Sequence, residues 1–322
     1  MQTALVGYTG FVGSNLAKTH EFTKLYNSKN IREAMGLAPD LLVYAGVRAE
    51  KFLANQEPGR DLASVQEAFS NIRGIRPQKL VLISTIDVFQ RPVEVDEETP
   101  VEEKNLQPYG ANRYRLEQQV REEYPDALIV RLPGLYGENL KKNFIYDLIH
   151  VIPSMLREEK YQELEIREKL PFPCYEKQDN GFYKCRKLDA REEEKLKEYF
   201  KRQDFSALHF TDSRSVFQFY PLSLLWGHIE KALALDLRLL HLATEPLEAG
   251  ELYKELTGEE FVNHTTQTPA LYDYRSRYAG ELGGAGGYVL DREFLVEDIR
   301  RYVREENFRT ALKCRDDPRP PG

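Results

Sequence analysis

Cysteine is scarce in this chain, three in 322 residues, with one tryptophan and three methionines. No two cysteines form a C-x-x-C pair, which excludes the usual structural zinc spacing. The six histidines (His20, His150, His209, His228, His241 and His264) show no ligand spacing either, so no metal site is expected. Long apolar runs are missing: the longest, 41–47, has seven residues, against the ~18 of a membrane span. Basic charge is in deficit, 45 Lys and Arg against 52 Asp and Glu, and a net charge of −7 argues against a nucleic-acid partner. No leader is visible, because Met1 runs straight into the strand-like Ala4-Leu5-Val6. These absences leave a cytoplasmic globular protein with no membrane partner as the expectation. What is abundant supports it: 16 Phe and 19 Tyr argue against disorder.

Alternation of short apolar runs with amphipathic stretches marks residues 1–137 as a parallel sheet with crossover helices. Strands are predicted at 4–7, 24–27, 41–45, 80–84 and 128–132, and helices at 12–19, 31–35, 62–72 and 109–123. The runs 41–45 and 80–84 are almost wholly apolar, as strands covered on both faces should be. Beyond Gly137 the composition changes, and 156–202 is crowded with Glu, Lys and Arg, read as solvated helix faces. Within it, Asn180-Gly181 predicts a two-residue hairpin turn that sets Cys185 opposite Glu176 and only diagonal to Cys174. Diagonal neighbours ~7–8 Å apart suit a disulfide poorly, so Cys174, Cys185 and Cys314 read as free thiols. Further on, a strand is expected at 216–220, a helix opened by Pro221 and striped by Leu225, Ile229 and Ala232, and a strand at 239–243.

The strongest local signal is Gly7-Tyr8-Thr9-Gly10-Phe11-Val12-Gly13, between the first strand and the first helix. Glycines three apart permit a tight turn and close approach of backbone to a pyrophosphate, and the helix start offers free N–H groups to that anion. The second strand ends in Tyr26-Asn27-Ser28-Lys29 with no carboxylate for an adenosine ribose, which leaves room for a 2′-phosphate. Later, Ser84-Thr85-Ile86-Asp87-Val88-Phe89 ends a buried strand in hydroxyls. Pro108-Tyr109-Gly110-Ala111-Asn112-Arg113 then puts Tyr and Arg on one helix face. A tyrosine works as a proton donor or acceptor near neutrality when a neighbouring cation lowers its pKa of ~10.

In this order the motifs resemble the extended short-chain dehydrogenase/reductases, the NAD-dependent epimerase/dehydratase family. The glycine turn is similar to T-G-x-x-G-F-I-G, Ala45-Gly46 to H-L-A-A, and the Ser84 segment to S-S/T-x-x-V-Y. Tyr109 falls 24 residues after Thr85 at the tyrosine of Y-x-x-x-K, and Arg131-Leu132-Pro133-Gly134-Leu135-Tyr136-Gly137 resembles R-x-x-x-V-Y-G. The resemblance spans most of the chain except about 156–205. It implies an α/β Rossmann-like parallel sheet with helices on both faces plus a smaller α+β substrate lobe. The cofactor body would be 1–137 with 221–243, the lobe 138–220 with 244–311, and 312–322 a flexible tail.

The resemblance further implies Thr85, Tyr109 and Arg113 as catalytic residues. It assigns Gly7, Tyr8, Thr9, Gly10, Phe11, Val12, Gly13, Asn27, Ser28, Ala45, Gly46 and Pro133 to an NAD or NADP cofactor, with NADP slightly favoured. The substrate would be a nucleotide sugar, with Arg48 as a contact to its phosphates, and two copies could pair through the Tyr109 helix. One position departs: the family's lysine is Arg113 here, which keeps the charge but aims a broader planar fork. Two readings compete, a working substitute or a dinucleotide-binding sensor with little turnover. A redox enzyme for a small non-sugar carbonyl is a third. Ile86-Asp87 in place of an Asp-Glu pair disfavours simple dehydration.

Overall fold

The computed structural model describes residues 1–166, 169–179 and 181–315, the side chains of 310–315 excepted; Asn180, the thiol of Cys314 and the expected tail at 316–322 lie outside them. The chain divides into two units, one of Met1–Leu140, Val216–Leu247 and Leu271–Leu295, the other of Lys141–Ser215, Glu248–Ala270 and the described residues from Val296. Residues 271–295, assigned from sequence to the lobe, therefore lie in the first unit. Val289 N–H donates to the Ala243 carbonyl, and Ala279, Leu282 and Val289 join a core cluster with Leu240 and Leu242. No sequence periodicity marks that return.

Up to residue 140 the order is β1 (Thr3–Val6), α1 (Phe11–Thr19), β2 (Lys24–Tyr26), β3 (Leu41–Tyr44), α2 (Lys51–Gln56), α3 (Pro58–Ile75), β4 (Lys79–Thr85), α4 (Pro108–Glu123), β5 (Leu128–Leu132) and β6 (Gly134–Tyr136). The second unit's first segment holds α5 (Phe144–His150), β7 (Met155–Arg157), α6 (Glu158–Ile166), β8 (Tyr175–Lys177), β9 (Phe182–Cys185) and α7 (Ala190–Lys201). Then follow β10 (Val216–Phe217), β11 (Phe219–Pro221), α8 (Leu225–Ala234), β12 (Leu239–His241), β13 (Leu247–Glu248), α9 (Ala249–Thr257) and α10 (Arg292–Arg315).

A six-stranded sheet in the order β12-β5-β4-β3-β1-β2, every pair parallel, carries the first unit. Alternation sorts its side chains into two cores, as the period of two requires. Leu41 and Val43 join Leu16, Leu225 and Ile229 on one face, while Leu42 and Tyr44 join Val65, Ile72, Leu116 and Val120 on the other. The α/β class and the covering of both faces are as expected from sequence. α3 and α4 each carry proline in the first turn, where a missing N–H costs nothing.

Three local expectations change. The predicted helix at 31–35 is a 3-10 turn, Ile31–Ala34. Pro221 closes β11, paired with Tyr136 in a two-stranded sheet, and the helix begins only after the turn Leu222–Leu224. In the β8–β9 hairpin Tyr175 opposes Cys185 and Glu176 opposes Lys184. Gln178 N–H bonds the Phe182 carbonyl at 2.7 Å and Gly181 takes the left-handed φ of 81°, so the turn is one residue longer than Asn-Gly alone predicts. Cys174 and Cys185 are free thiols. Among the described residues no helix is long and apolar enough to cross a membrane.

Candidate active site

The glycine turn leaves β1 at its carboxyl end, where ligands of open parallel sheets collect. Gly7 has φ 94°, a left-handed value that favours glycine, and its N–H donates to the Tyr26 carbonyl at 2.7 Å. A Cβ there would come 2.5 Å from the Ala45 carbonyl oxygen, and one on Gly13 would come 2.1 Å from the Gly7 oxygen. The turn from Gly7 through Tyr8, Thr9, Gly10, Phe11 and Val12 to Gly13 is thus packed backbone against backbone at its glycines, with Ala45 and Gly46 at its border. Asn15 on α1 ties it to the later chain, donating to the Phe11 and Glu138 carbonyls at 2.8 and 2.9 Å.

At the end of β2, Asn27 accepts the Lys29 N–H on its side-chain oxygen at 2.8 Å, and Ser28 is exposed. Pro133 sits between β5 and β6 and is half-buried. Arg48 points its side chain to solvent and contributes its carbonyl to the site instead.

Thr85 ends β4 and Tyr109 lies in the first turn of α4, and the Thr85 hydroxyl is among the groups that favour the phenolate form of Tyr109. Gly110 lets α4 close on the turn after β4: a Cβ on it would lie 2.0 Å from the Asp87 carbonyl oxygen. The Tyr109 N–H is capped by Asn55 Oδ1 at 3.0 Å, a partner from α2 that the sequence did not announce. Burial pushes the Tyr109 phenol above its ordinary value; Arg113 and Lys51 pull it down and Asp87 pushes it up. The phenol is therefore protonated at neutral pH.

Arg113 shares the buried face of α4 with Tyr109, its guanidinium carbon 4.0 Å from the centroid of the phenol ring. Its fork is committed to the Asp61 carboxylate and the Arg48 carbonyl. Asn112 reinforces Asp61 at 2.8 Å, so α3, α4 and the loop after β3 are bound into one support for Tyr109. Lys51, Asp87 and Tyr272 form a further polar cluster beside it, and no sequence motif marked Lys51 or Tyr272.

Below the site runs a buried polar row. Ser84, Arg131 and His241 are register neighbours on β4, β5 and β12. Glu117 of α4 accepts from Ser84 Oγ at 2.5 Å and from Arg131 Nη2 at 2.6 Å. His241 Nδ1 donates to the Arg275 carbonyl and Nε2 accepts from Arg131 Nη1, both at 3.2 Å, which fixes a neutral ring. Burial, aided by the Arg131 charge, lowers its pKa to about 3. The unfolded chain takes up that proton near pH ~6.5 and the folded one does not. Stability is therefore full above ~6.5 and lost as pH falls toward ~3, by up to ~1.4 kcal/mol per unit. Urea unfolding should show His241→Gln with a flatter acid limb than the parent; equal slopes would refute the assignment.

No family model and no curated protein sequence matches the chain. Solved structures do. A dTDP-4-dehydrorhamnose reductase from Bacillus anthracis in complex with NADP is similar at TM-score 0.62 and 16% identity, covering 94% of this chain and 97% of that one. A UDP-N-acetylglucosamine 4-epimerase from Methanobrevibacter ruminantium, bound to UDP-N-acetylmuramic acid, gives TM-score 0.58 and 12% identity over 94% and 97%. A UDP-glucuronic acid 4-epimerase variant from Bacillus cereus, with UDP-4-deoxy-4-fluoro-glucuronic acid and NAD, gives 0.56 and 12% over 95% and 99%. These likenesses define the class of fold: the Rossmann-like α/β architecture of reductases and epimerases.

Proposed function

We propose that this chain is an NAD(P)-dependent enzyme of the extended short-chain dehydrogenase/reductase kind, moving a hydride to or from a keto or hydroxyl carbon of a nucleotide-activated sugar. The observation that carries the reading is the juxtaposition, at the carboxyl edge of one parallel sheet, of a glycine turn packed backbone against backbone and of Thr85 and Tyr109 at the facing ends of β4 and α4. The solved structures that share the fold hold NADP or NAD and UDP-sugars, which supports the same substrate class.

The residues present fit a dinucleotide. Gly7 through Gly13 would hold its pyrophosphate at the start of α1, Asn27 and Ser28 its adenosine ribose, and Ala45, Gly46 and Pro133 its flanks. With no carboxylate among Asn27, Ser28 and Lys29, NADP is the favoured form. When bound, the nicotinamide supplies or accepts the hydride. The chain's own task is the proton. Tyr109 Oη delivers it to the substrate oxygen as that oxygen gains charge, and Thr85 shares the hydrogen bond and holds the oxygen in place. A protonated phenol fits net reduction. Arg48 is a candidate contact for the substrate's phosphates, and a cytoplasmic homodimer paired on α4 belongs to the same reading.

The test is direct: bind NADPH and NADH by fluorescence, then follow their oxidation against a panel of keto and hydroxyl nucleotide sugars. Binding with turnover supports the reading. Binding without turnover on any sugar supports the sensor reading, for which the commitment of Arg113 to Asp61 is the favouring observation. Gly13→Ala should weaken NADPH binding by more than about tenfold, because its Cβ displaces the Gly7 carbonyl. Unchanged affinity would remove the glycine turn from the argument.

A further inference from the structure

With the Arg113 fork occupied by Asp61 and the Arg48 carbonyl, the other cation acting on the Tyr109 phenol comes from α2, the helix whose Asn55 caps the Tyr109 N–H. Lys51, the first residue of α2, places Nζ 2.8 Å from Asp87 Oδ1 and 3.2 Å from the Tyr272 hydroxyl. Tyr272 donates its own hydroxyl to the same carboxylate oxygen at 2.8 Å. Asp87 joins this cluster to the proposed proton donor. Its N–H donates to Thr85 Oγ1 at 3.2 Å, and its carbonyl oxygen occupies the space a side chain on Gly110 would need.

We propose that Lys51 is a positioning residue for proton transfer at Tyr109, its ammonium held by Asp87 and Tyr272 so that it stabilises the phenol oxygen as the proton leaves. The inference rests on the reading of Tyr109 as the proton donor. In the step, the Oη–H bond breaks and its proton goes to the substrate oxygen. The nicotinamide, when bound, would supply the hydride for the adjoining carbon, so that the carbonyl would be reduced and the dinucleotide oxidised. Lys51 keeps its proton, and the phenolate recovers one from water. Burial works against the Lys51 charge, but Asp87 and Tyr272 outweigh it and hold the ammonium above the ordinary lysine range. The charged groups acting on the phenol are Arg113 of α4, Lys51 of α2 and Asp87 of the turn after β4. Asp61 of α3 neutralises Arg113, and Tyr272 bridges the Lys51 pair.

The test titrates Tyr109 itself in the full-length, cofactor-free protein, using ring-labelled tyrosine and carbon NMR, with its signal assigned by its loss in Tyr109→Phe. Asp87→Asn, which frees the ammonium of its counter-charge, should lower the Tyr109 midpoint by roughly one pH unit. Adding Lys51→Met to Asp87→Asn should abolish that fall, and Lys51→Arg should retain it. In turnover, Lys51→Met should depress kcat with KM little changed and shift the pH profile in the direction the titration gives. A Tyr109 midpoint that stays put in Asp87→Asn, or falls equally with Lys51 absent, overturns the proposal. Because the titration needs no substrate, it judges Lys51 even if no nucleotide sugar is turned over, an outcome that would instead remove the proposed function.

Discussion

Tyr109→Phe is expected to cut turnover by roughly 10²–10⁴-fold, the usual share of a positioned proton donor, while NADPH affinity and folding stay near those of the parent. Phenylalanine keeps the ring under the Arg113 guanidinium and keeps the burial of the α4 face; only the hydroxyl is lost. A folding defect cannot then explain the loss. The control is thermal unfolding with and without NADPH, alongside single-turnover oxidation of the bound cofactor. Turnover within about threefold of the parent would sink the assignment of Tyr109, since general-acid assistance is worth at least an order of magnitude more.

The largest expected effect on stability lies beneath the site. Glu117 is fully buried and Arg131 nearly so, at 1% exposure. Glu117→Ala leaves the Arg131 guanidinium without its carboxylate and the Ser84 hydroxyl without its acceptor, in a place water does not reach. Stranding one partner of a buried pair costs about 3–5 kcal/mol. Urea unfolding should show that loss at neutral pH, with Glu117→Gln losing less because it keeps the shape and one acceptor. The double variant Glu117→Leu with Arg131→Met should regain most of it, since removing both charges leaves neither unpaired. A loss below about 1 kcal/mol in Glu117→Ala would show that water, not protein, solvates Arg131.

How much of this was legible beforehand follows from the range of the forces involved. The runs 41–45 and 80–84 could be read as interior strands because apolarity is a local signal; β3 is buried throughout and β4 at Leu80, Val81 and Leu82. The glycine turn was legible because a left-handed φ and a missing Cβ leave a mark in the residue type. The partners of Arg113 were not. Asp61 and the Arg48 carbonyl lie 52 and 65 residues away in sequence, and nothing in the spacing of either announces an ion pair. Lys51 escaped for the same reason, being one lysine among many on a short helix that no long period supports. The return of residues 271–295 to the first unit depends on Leu282 and Val289 finding a core built from other segments, which only the assembled sheet defines.

Gly110 deserves to be seen as a spacer rather than as a flexible residue. Because the Asp87 carbonyl occupies the volume of its absent side chain, the height of the Tyr109 hydroxyl above the sheet is set by backbone touching backbone. Neither surface can be compressed or retuned by choosing another rotamer. The reach of the proposed proton donor is therefore a fixed dimension of the scaffold. Under the proposed function, discrimination between one substrate and another would be written into the walls around that point, leaving the point itself unmoved.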